Sequence, residues 1–359
     1  MANSVFLPNY TIGTDAYDAI GAICHTFGTK VAVIGGQTAL EKSIDKIKAS
    51  LAKTDFILTD VQVYGDDATY EHVERLQATP TVQEADFIFA VGGGRAVDTV
   101  KTLAERMAKP VFTFPTIASN CAPNTAVSVM YKATGEMDGL FFLNAPPKHC
   151  FIDTEIIAEA PSVYLWAGIA DAISKEYESA FSSRGKTLAY TDALGVQVAQ
   201  NSADRLMAYG KDALDSCTEN KTSFALEQVA LDILMTTALT SVLVDNDYNS
   251  NAAHSFYYGS TVVEGCESHL HGEIVCYGVL LLLTMDGQIE ARNRLYDFMR
   301  RVDLSVSLEQ IGVKNEEEVE RILDKALTTV DIACSPYPIT KELYKQAIAD
   351  LEAYHQTQS

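Results

Sequence analysis

Positive charge is in short supply in this 359-residue sequence: 27 lysines and arginines stand against 48 aspartates and glutamates, a formal net charge of -21 at pH 7. That balance argues against nucleic acid and against an anionic membrane surface as partners, and favours a small diffusible ligand. Paired cysteines are missing too. The seven cysteines (Cys24, Cys121, Cys150, Cys217, Cys266, Cys276 and Cys334) are odd in number, scattered and never in a Cys-x-x-Cys pair, which suits a reducing cytoplasm better than a disulfide scaffold. The opening stretch MANSVFLPNY has no basic segment followed by an apolar core, so no signal peptide is expected. No apolar run is long enough for a bilayer: the longest, Ile274 to Met285, is interrupted by Cys276, Tyr277 and Gly278 and reads as a buried core helix. With only 10 prolines, 47% hydrophobic and 21% charged residues, the chain is globular throughout, with length for two domains.

The Gly-x-Gly-x-x-Gly spacing of the usual dinucleotide fingerprint is also absent. In its place the stretch Phe87 to Lys101 reads FIFAVGGGRAVDTVK. Phe87 to Val91 are too few and too β-prone for a helix, whereas Ala96, Val97, Val100 and Leu103 recur at helical spacing. The spacing predicts a strand, a turn over Gly92, Gly93 and Gly94, and a helix. Bare glycine N–H groups at a helix N-terminus can approach an anion closely, and a pyrophosphate would fit there. A tight turn without a ligand accounts equally well for three glycines taken alone.

The surroundings favour the ligand. Residues 30 to 36, KVAVIGG, read as a buried strand ending in Gly35 and Gly36, followed by helical periodicity from Thr38 to Leu51. Phe56 to Tyr64 reads as a strand, Tyr70 to Leu76 as a helix, and Val111 to Phe114 as a strand running into Pro115. Strands alternating with helices indicate a parallel sheet covered on both faces, whose ligands sit outside the carboxyl ends of the strands. Gly35, Gly92 to Gly94 and Thr116 all emerge at such ends. Ala126 to Tyr131 and His149 to Ile152 read as a closing extended segment, with a hairpin as one arrangement. After Ala160 the pattern turns helical: Leu165 to Phe181, Thr187 to Tyr209, Ser223 to Val244, Ala252 to Glu264 and Gly272 to Gln288. The expected division is therefore an α/β dinucleotide-binding domain over 1–158 and a helical catalytic domain over 159–359 sharing a cleft with it. The tail 290–356 reads as charged, solubilising cover.

Three polar residues interrupt apolar helical segments: Asp171 in LWAGIADAISKEYE, His254 in NAAHSFYYG and His271 in SHLHGE. Singly each is explained as a helix cap or a hydrogen-bonded core residue. Together, one carboxylate and two imidazoles form a ligand set for zinc or ferrous iron that leaves a coordination position open to a substrate oxygen. His269 competes for the third place, although its position at the end of the preceding loop suits an orienting role better.

The combination of VGGGRAVDTVK, PTIASNCAPNTAVSVMY, LWAGIADAISKEYE, AAHSFYYG and HLHGE, in that order and spacing over nearly the whole chain, resembles the glycerol dehydrogenase branch of the iron-containing alcohol dehydrogenase family. The resemblance implies a dehydroquinate synthase-like fold: an α/β N-terminal domain with a parallel sheet plus an all-α C-terminal domain carrying the metal. It implies that Asp171, His254 and His271 hold a catalytic zinc or iron, that Gly94, Asp98, Thr116, Ser119, Thr125, Val127 and Tyr131 line a nicotinamide cofactor, and that the chain forms a homo-oligomer. Three departures stand out. Members with four protein ligands to iron carry a histidine four residues after the aspartate, where this chain has Lys175, which leans toward zinc. NAD-specific members commonly place an acid after the first strand, where this chain has Gln37, so NADP is not repelled. Glycerol dehydrogenases read Thr-Asp-Ala-Pro beside the substrate, where this chain has Asn120, Cys121, Ala122 and Pro123; a cysteine there resembles the hydroxycarboxylate dehydrogenases of the same branch. The expected activity is metal-assisted hydride transfer between NAD or NADP and a small alcohol or polyol, with reduction of 2-oxo acids as the alternative. A dehydroquinate synthase-type lyase is disfavoured by the lack of basic residues around the two histidines, and a non-catalytic nucleotide binder by the presence of all three ligands.

Overall fold

The structure, a computed structural model, describes residues 4 to 358, and the chain divides into two compact units. The first runs to Leu165 and takes in Asp212–Val242; the second comprises Trp166–Lys211 and the chain from Leu243 onward.

Among the described residues of the first unit there are eight strands: β1 (Tyr10–Gly13), β2 (Lys30–Gly35), β3 (Ile57–Val63), β4 (Phe87–Gly92), β5 (Val111–Pro115), β6 (Val127–Tyr131), β7 (Met137–Phe142) and β8 (His149–Asp153). Six of them form one sheet in the order β1-β8-β5-β4-β2-β3, with every neighbouring pair parallel. Strands β4 and β5 are buried along their length, and β2 from Val31 onward, because both sheet faces are covered. Phe87 and Phe89 of β4 pack with Phe112, Phe114 and Phe151 on one face, while Ile88 and Ala90 meet Val100 and Leu103 of the helix Gly94–Arg106 on the other. Replacing one of these rings by alanine costs about 3–5 kcal/mol through lost burial and the cavity left behind.

Strands β6 and β7 form a separate antiparallel hairpin, Val127 opposite Phe142. This corrects the expected closing segment. The partner of Ala126–Tyr131 is β7, a segment outside the expected strands, and His149–Asp153 instead enters the main sheet between β1 and β5. The division of the chain also differs from the expected break at residue 158. Asp212–Val242 packs with the first unit, where Asn124 donates to Leu234 O (3.0 Å) and the Cys217 thiol to Ile157 O (3.7 Å). Within this segment the helical run Phe224–Leu243 is the one described helix long and apolar enough to cross a bilayer, and 61% of its apolar window is buried, as in a core helix.

The second unit is helical among its described residues. The helix Ser162–Ser183 packs its apolar face inward, and the expected helix over 187–209 is two, Tyr190–Ala199 and Ser202–Thr218, broken where Asn201 takes a positive φ of 66°. Ala252–Ser260 and His271–Met285 follow. The tail is more than cover: Leu295, Tyr296, Phe298, Met299, Ile322, Leu323 and Tyr344 are buried, and the Tyr344 hydroxyl donates to Ala252 O at 2.8 Å. Its outer face carries the expected charge, with Glu320 between Lys341 and Lys345, while Arg292 is buried over the Tyr354 ring.

Candidate active site

Adjacent parallel strands β2, β4 and β5 deliver the residues expected to meet a nicotinamide cofactor to one edge of the first unit's sheet. Gln37 opens the helix after β2, and the glycine turn follows β4, where Gly92 alone has the positive φ (139°) that a side chain resists. Gly93 is extended, but a Cβ on it would lie 2.6 Å from Ile117, so the crowding there is steric. Gly36 and Gly93 cap their helices without any side-chain hydrogen bond. The first N–H groups of both helices therefore have no capping side chain of their own, and with the helix dipole behind them they suit a pyrophosphate. Thr116 follows β5 and donates its N–H to Gly92 O at 3.4 Å.

Asp98, Thr125 and Val127 are tied together by Lys101, which is not among the expected cofactor-binding residues. Lys101 is fully buried and donates to Ala122 O (2.8 Å), Val127 O (2.5 Å) and Thr125 Oγ1 (3.2 Å), with Asp98 Oδ1 at 2.9 Å. Asp98 Oδ2 accepts the Val129 N–H at 3.1 Å. Asp98 thus faces inward and braces β6, on which Val127 and Tyr131 present their side chains to one face, Tyr131 beneath the Arg95 guanidinium. Ser119 and half-buried Cys121 lie in the loop before this brace, where Asn120 Oδ1 accepts the Ala122 N–H.

In the second unit Asp171, His254 and His271 come together, with one ligand atom of each within 4.8 Å of the others. His271 Nε2 is 3.1 Å and His254 Nε2 3.8 Å from Asp171 Oδ1. Ligand atoms about 2.0–2.1 Å from a tetrahedral zinc lie roughly 3.3 Å apart, so this donor set fits one divalent ion with little adjustment. Two glycines make the convergence possible. A Cβ on Gly272 would lie 2.0 Å from Ala167 O, and one on Gly278 2.7 Å from Ala253 O. The helix His271–Met285 therefore meets the Asp171 helix and the His254 helix backbone to backbone. His269 is turned away to Glu273 (2.9 Å), which also takes the Ser305 hydroxyl, and is outside the cluster.

Two further residues on the Asp171 helix serve this cluster. Glu178, seven residues on and fully buried, meets His254 Nδ1 with Oε2 at 2.5 Å, while its Oε1 accepts the N–H groups of Asn251 (2.7 Å) and His254 (3.0 Å). Lys175, at the place of the fourth ligand, donates to Asn249 O and Oδ1, both at 2.7 Å. The spacing 171, 175, 178 puts all three on one helix face; that was the available signal, masked by the charged look of SKEYE. Burial opposes ionisation of Asp171, yet the hydrogen bond and charge of His271, with His254 and Lys175, hold its carboxyl down to about 2. Burial likewise works against charge on His254, and Glu178 overrides it, raising the imidazole above its usual value.

Comparison with known proteins agrees with this architecture. The family model for iron-containing alcohol dehydrogenase matches residues 8–154. The glycerol dehydrogenase of Thermotoga maritima is 30% identical over 356 residues, covering 95% of this chain and 94% of that one, and hydroxycarboxylate dehydrogenase A of Escherichia coli is 29% identical over 281 residues, covering 77% and 78%. The crystal structure of glycerol dehydrogenase from Schizosaccharomyces pombe superposes with a TM-score of 0.87 at 26% identity, covering 99% of this chain and 92% of that one. The chain belongs to the iron-containing alcohol dehydrogenase family. Its reaction class follows: it is an oxidoreductase acting on CH–OH groups, NAD-linked and metal-dependent.

Proposed function

We propose that this chain interconverts a small alcohol or polyol and the corresponding carbonyl compound, with Asp171, His254 and His271 holding the divalent ion and the β2, β4 and β5 turns holding the nicotinamide cofactor. The convergence of three ligand atoms within 4.8 Å carries the reading. When bound, the ion supplies the Lewis acidity that lets a hydroxyl ionise near neutral pH, and the nicotinamide supplies the hydride acceptor. The chain's own groups prepare for both. Asp171, ionised at neutral pH, contributes the negative charge, and two imidazoles supply neutral donors while leaving a position for the substrate oxygen. Uncapped N–H groups after Gly36 and Gly93 receive the cofactor's phosphates, and the Lys101 brace fixes the loop through Ser119, Cys121 and Thr125.

Zinc is the proposed metal, with ferrous iron as the alternative, because the fourth ligand's place is taken by Lys175, whose ammonium is engaged by Asn249. NAD and NADP are both accommodated, since Gln37 replaces the acid that would repel a 2′-phosphate. The names of the relatives support a polyol such as glycerol as the substrate, and the reading adds a cytoplasmic homo-oligomer. Cys121 favours a second reading. Where a carboxylate would accept a substrate hydroxyl and repel an anion, cysteine does neither, so small 2-oxo acids become candidates for reduction. A substrate screen with both cofactors tests this. Chelator-sensitive, zinc-restored turnover of a small polyol is expected, and Cys121→Asp should raise the ratio of glycerol oxidation to 2-oxo acid reduction. Full turnover in chelator-stripped protein would remove the metal from the account, and a wild type that oxidises glycerol efficiently while rejecting every 2-oxo acid would remove the second reading.

A further inference from the structure

We infer that Glu178 fixes the imidazole tautomer of His254 and thereby determines whether that residue can ligate a metal; the inference rests on the ligand assignment proposed above. Three donors converge on this one carboxylate. Oε1 lies 2.7 Å from the Asn251 nitrogen and 3.0 Å from the His254 nitrogen, and Oε2 lies 2.5 Å from His254 Nδ1. An ionised carboxylate only accepts, so the hydrogen of the neutral ring is on Nδ1 and the lone pair on Nε2. Nε2 is the atom aimed at Asp171, 3.8 Å from Oδ1. Glu178 is 0% exposed, so water does not compete for its oxygens, and the helix Ser162–Ser183 that carries it also carries Asp171. One rigid helix therefore presents a ligand and orients the second.

Glutamine separates this role from packing. Glu178→Gln keeps the shape but leaves one acceptor oxygen for three donors. With that oxygen on the two backbone N–H groups, the amide NH2 faces Nδ1, and the ring answers by moving its hydrogen to Nε2, where a metal bond would form. With the amide flipped, NH2 confronts two backbone donors. No orientation serves all three, and the arrangement that preserves the backbone removes the ligand.

The test is calorimetric titration of zinc into metal-stripped protein, with circular dichroism as the fold control. Wild type should bind one equivalent, and Glu178→Gln should bind roughly 100-fold more weakly, at the upper end of what outer-sphere partners of metal-bound histidine contribute, with NAD affinity unchanged. Zinc binding within threefold of wild type in a folded Glu178→Gln variant overturns the inference. Failure of wild type to bind zinc would instead count against the ligand assignment. In that case, or if the variant does not fold, nitrogen chemical shifts of 15N-histidine-labelled wild type decide, His254 being identified by its loss in His254→Ala. A neutral ring protonated at Nδ1 upholds the inference, and one protonated at Nε2 overturns it.

Discussion

Asp98 with Lys101 in the first unit and Asp171 with Lys175 in the second are the same pair of residue types, three and four residues apart on a helix, and each lysine is buried. In the first pair the lysine closes on its aspartate at 2.9 Å and spends its other donors on the carbonyls of Ala122 and Val127. Charge is neutralised internally, and what results is a brace between a helix and a hairpin. Burial still dominates at Asp98, so its carboxyl is raised above the usual range despite Lys101. In the second pair the lysine turns to Asn249, and the carboxylate is left to two imidazoles that carry no obligatory charge. That arrangement has negative charge and lone pairs to offer. The direction in which the lysine turns separates a structural salt bridge from the proposed cation-binding site.

Breaking the two pairs in parallel should expose the difference. Lys101→Met strands a buried carboxylate, and an uncompensated charge of that kind costs about 3–5 kcal/mol. Lys175→Met removes hydrogen bonds to a neutral asparagine and should cost only ~1–2 kcal/mol. Denaturant titration of both variants measures the contrast, and equal losses would mean that Lys101 is no more a brace than Lys175. Adding Asp98→Asn to Lys101→Met should recover most of the lost stability.

A smaller and more local effect is expected at the glycine turn. Gly93→Val drives a side chain against Ile117, whose nearest atom is 2.6 Å from the position of a Cβ. Nicotinamide affinity should fall roughly tenfold or more while zinc affinity stays near wild type, as the cost of shifting an overpacked neighbour is typically 1–3 kcal/mol. Equal loss of both ligands would point to general misfolding.

The mildest probe is pH. The folded carboxyl of Asp171 lies below its usual 3.8, so its contribution to stability is complete above that value and disappears as pH falls toward about 2. Asp98 has the opposite sign: its raised carboxyl favours the folded state at low pH and loses that contribution as pH rises through its folded value. In metal-free protein, Asp171→Asn should flatten the stability loss between about pH 4 and pH 2, whereas Asp98→Asn should leave that acid limb or steepen it. Identical acid limbs for wild type and Asp171→Asn would contradict the assigned environment.

The parts of this molecule that were legible in the sequence are those determined locally. β2, β4 and β5 are continuous apolar runs that stop at glycine or proline, and the helices after them announce themselves by period. β1, with the sequence YTIG, is a half-exposed edge strand of four residues, and β7 carries exposed Met137, Leu140 and Phe142, so neither shows the burial pattern that marks a strand. The place of β8 between β1 and β5 and the attachment of Asp212–Val242 to the first unit depend on contacts far apart in sequence. The same division runs through the candidate site. Asp171, His254 and His271 were visible as polar intrusions into apolar helices. Nothing in the local sequence distinguishes Glu178 and Lys101 from surface charges, because their partners, the N–H groups of 251 and 254 and the carbonyls of 122 and 127, arrive from other segments.

The central claim, that Asp171, His254 and His271 are a metal site while the Asp98 pair is not, is tested most directly by metal content per chain. Wild-type protein reconstituted with zinc and freed of excess should hold one equivalent. His254→Ala and His271→Ala should each lose nearly all of it and their turnover with it, with unchanged circular dichroism, and Asp98→Asn should keep it. A full equivalent of zinc in folded His254→Ala or His271→Ala would contradict the account.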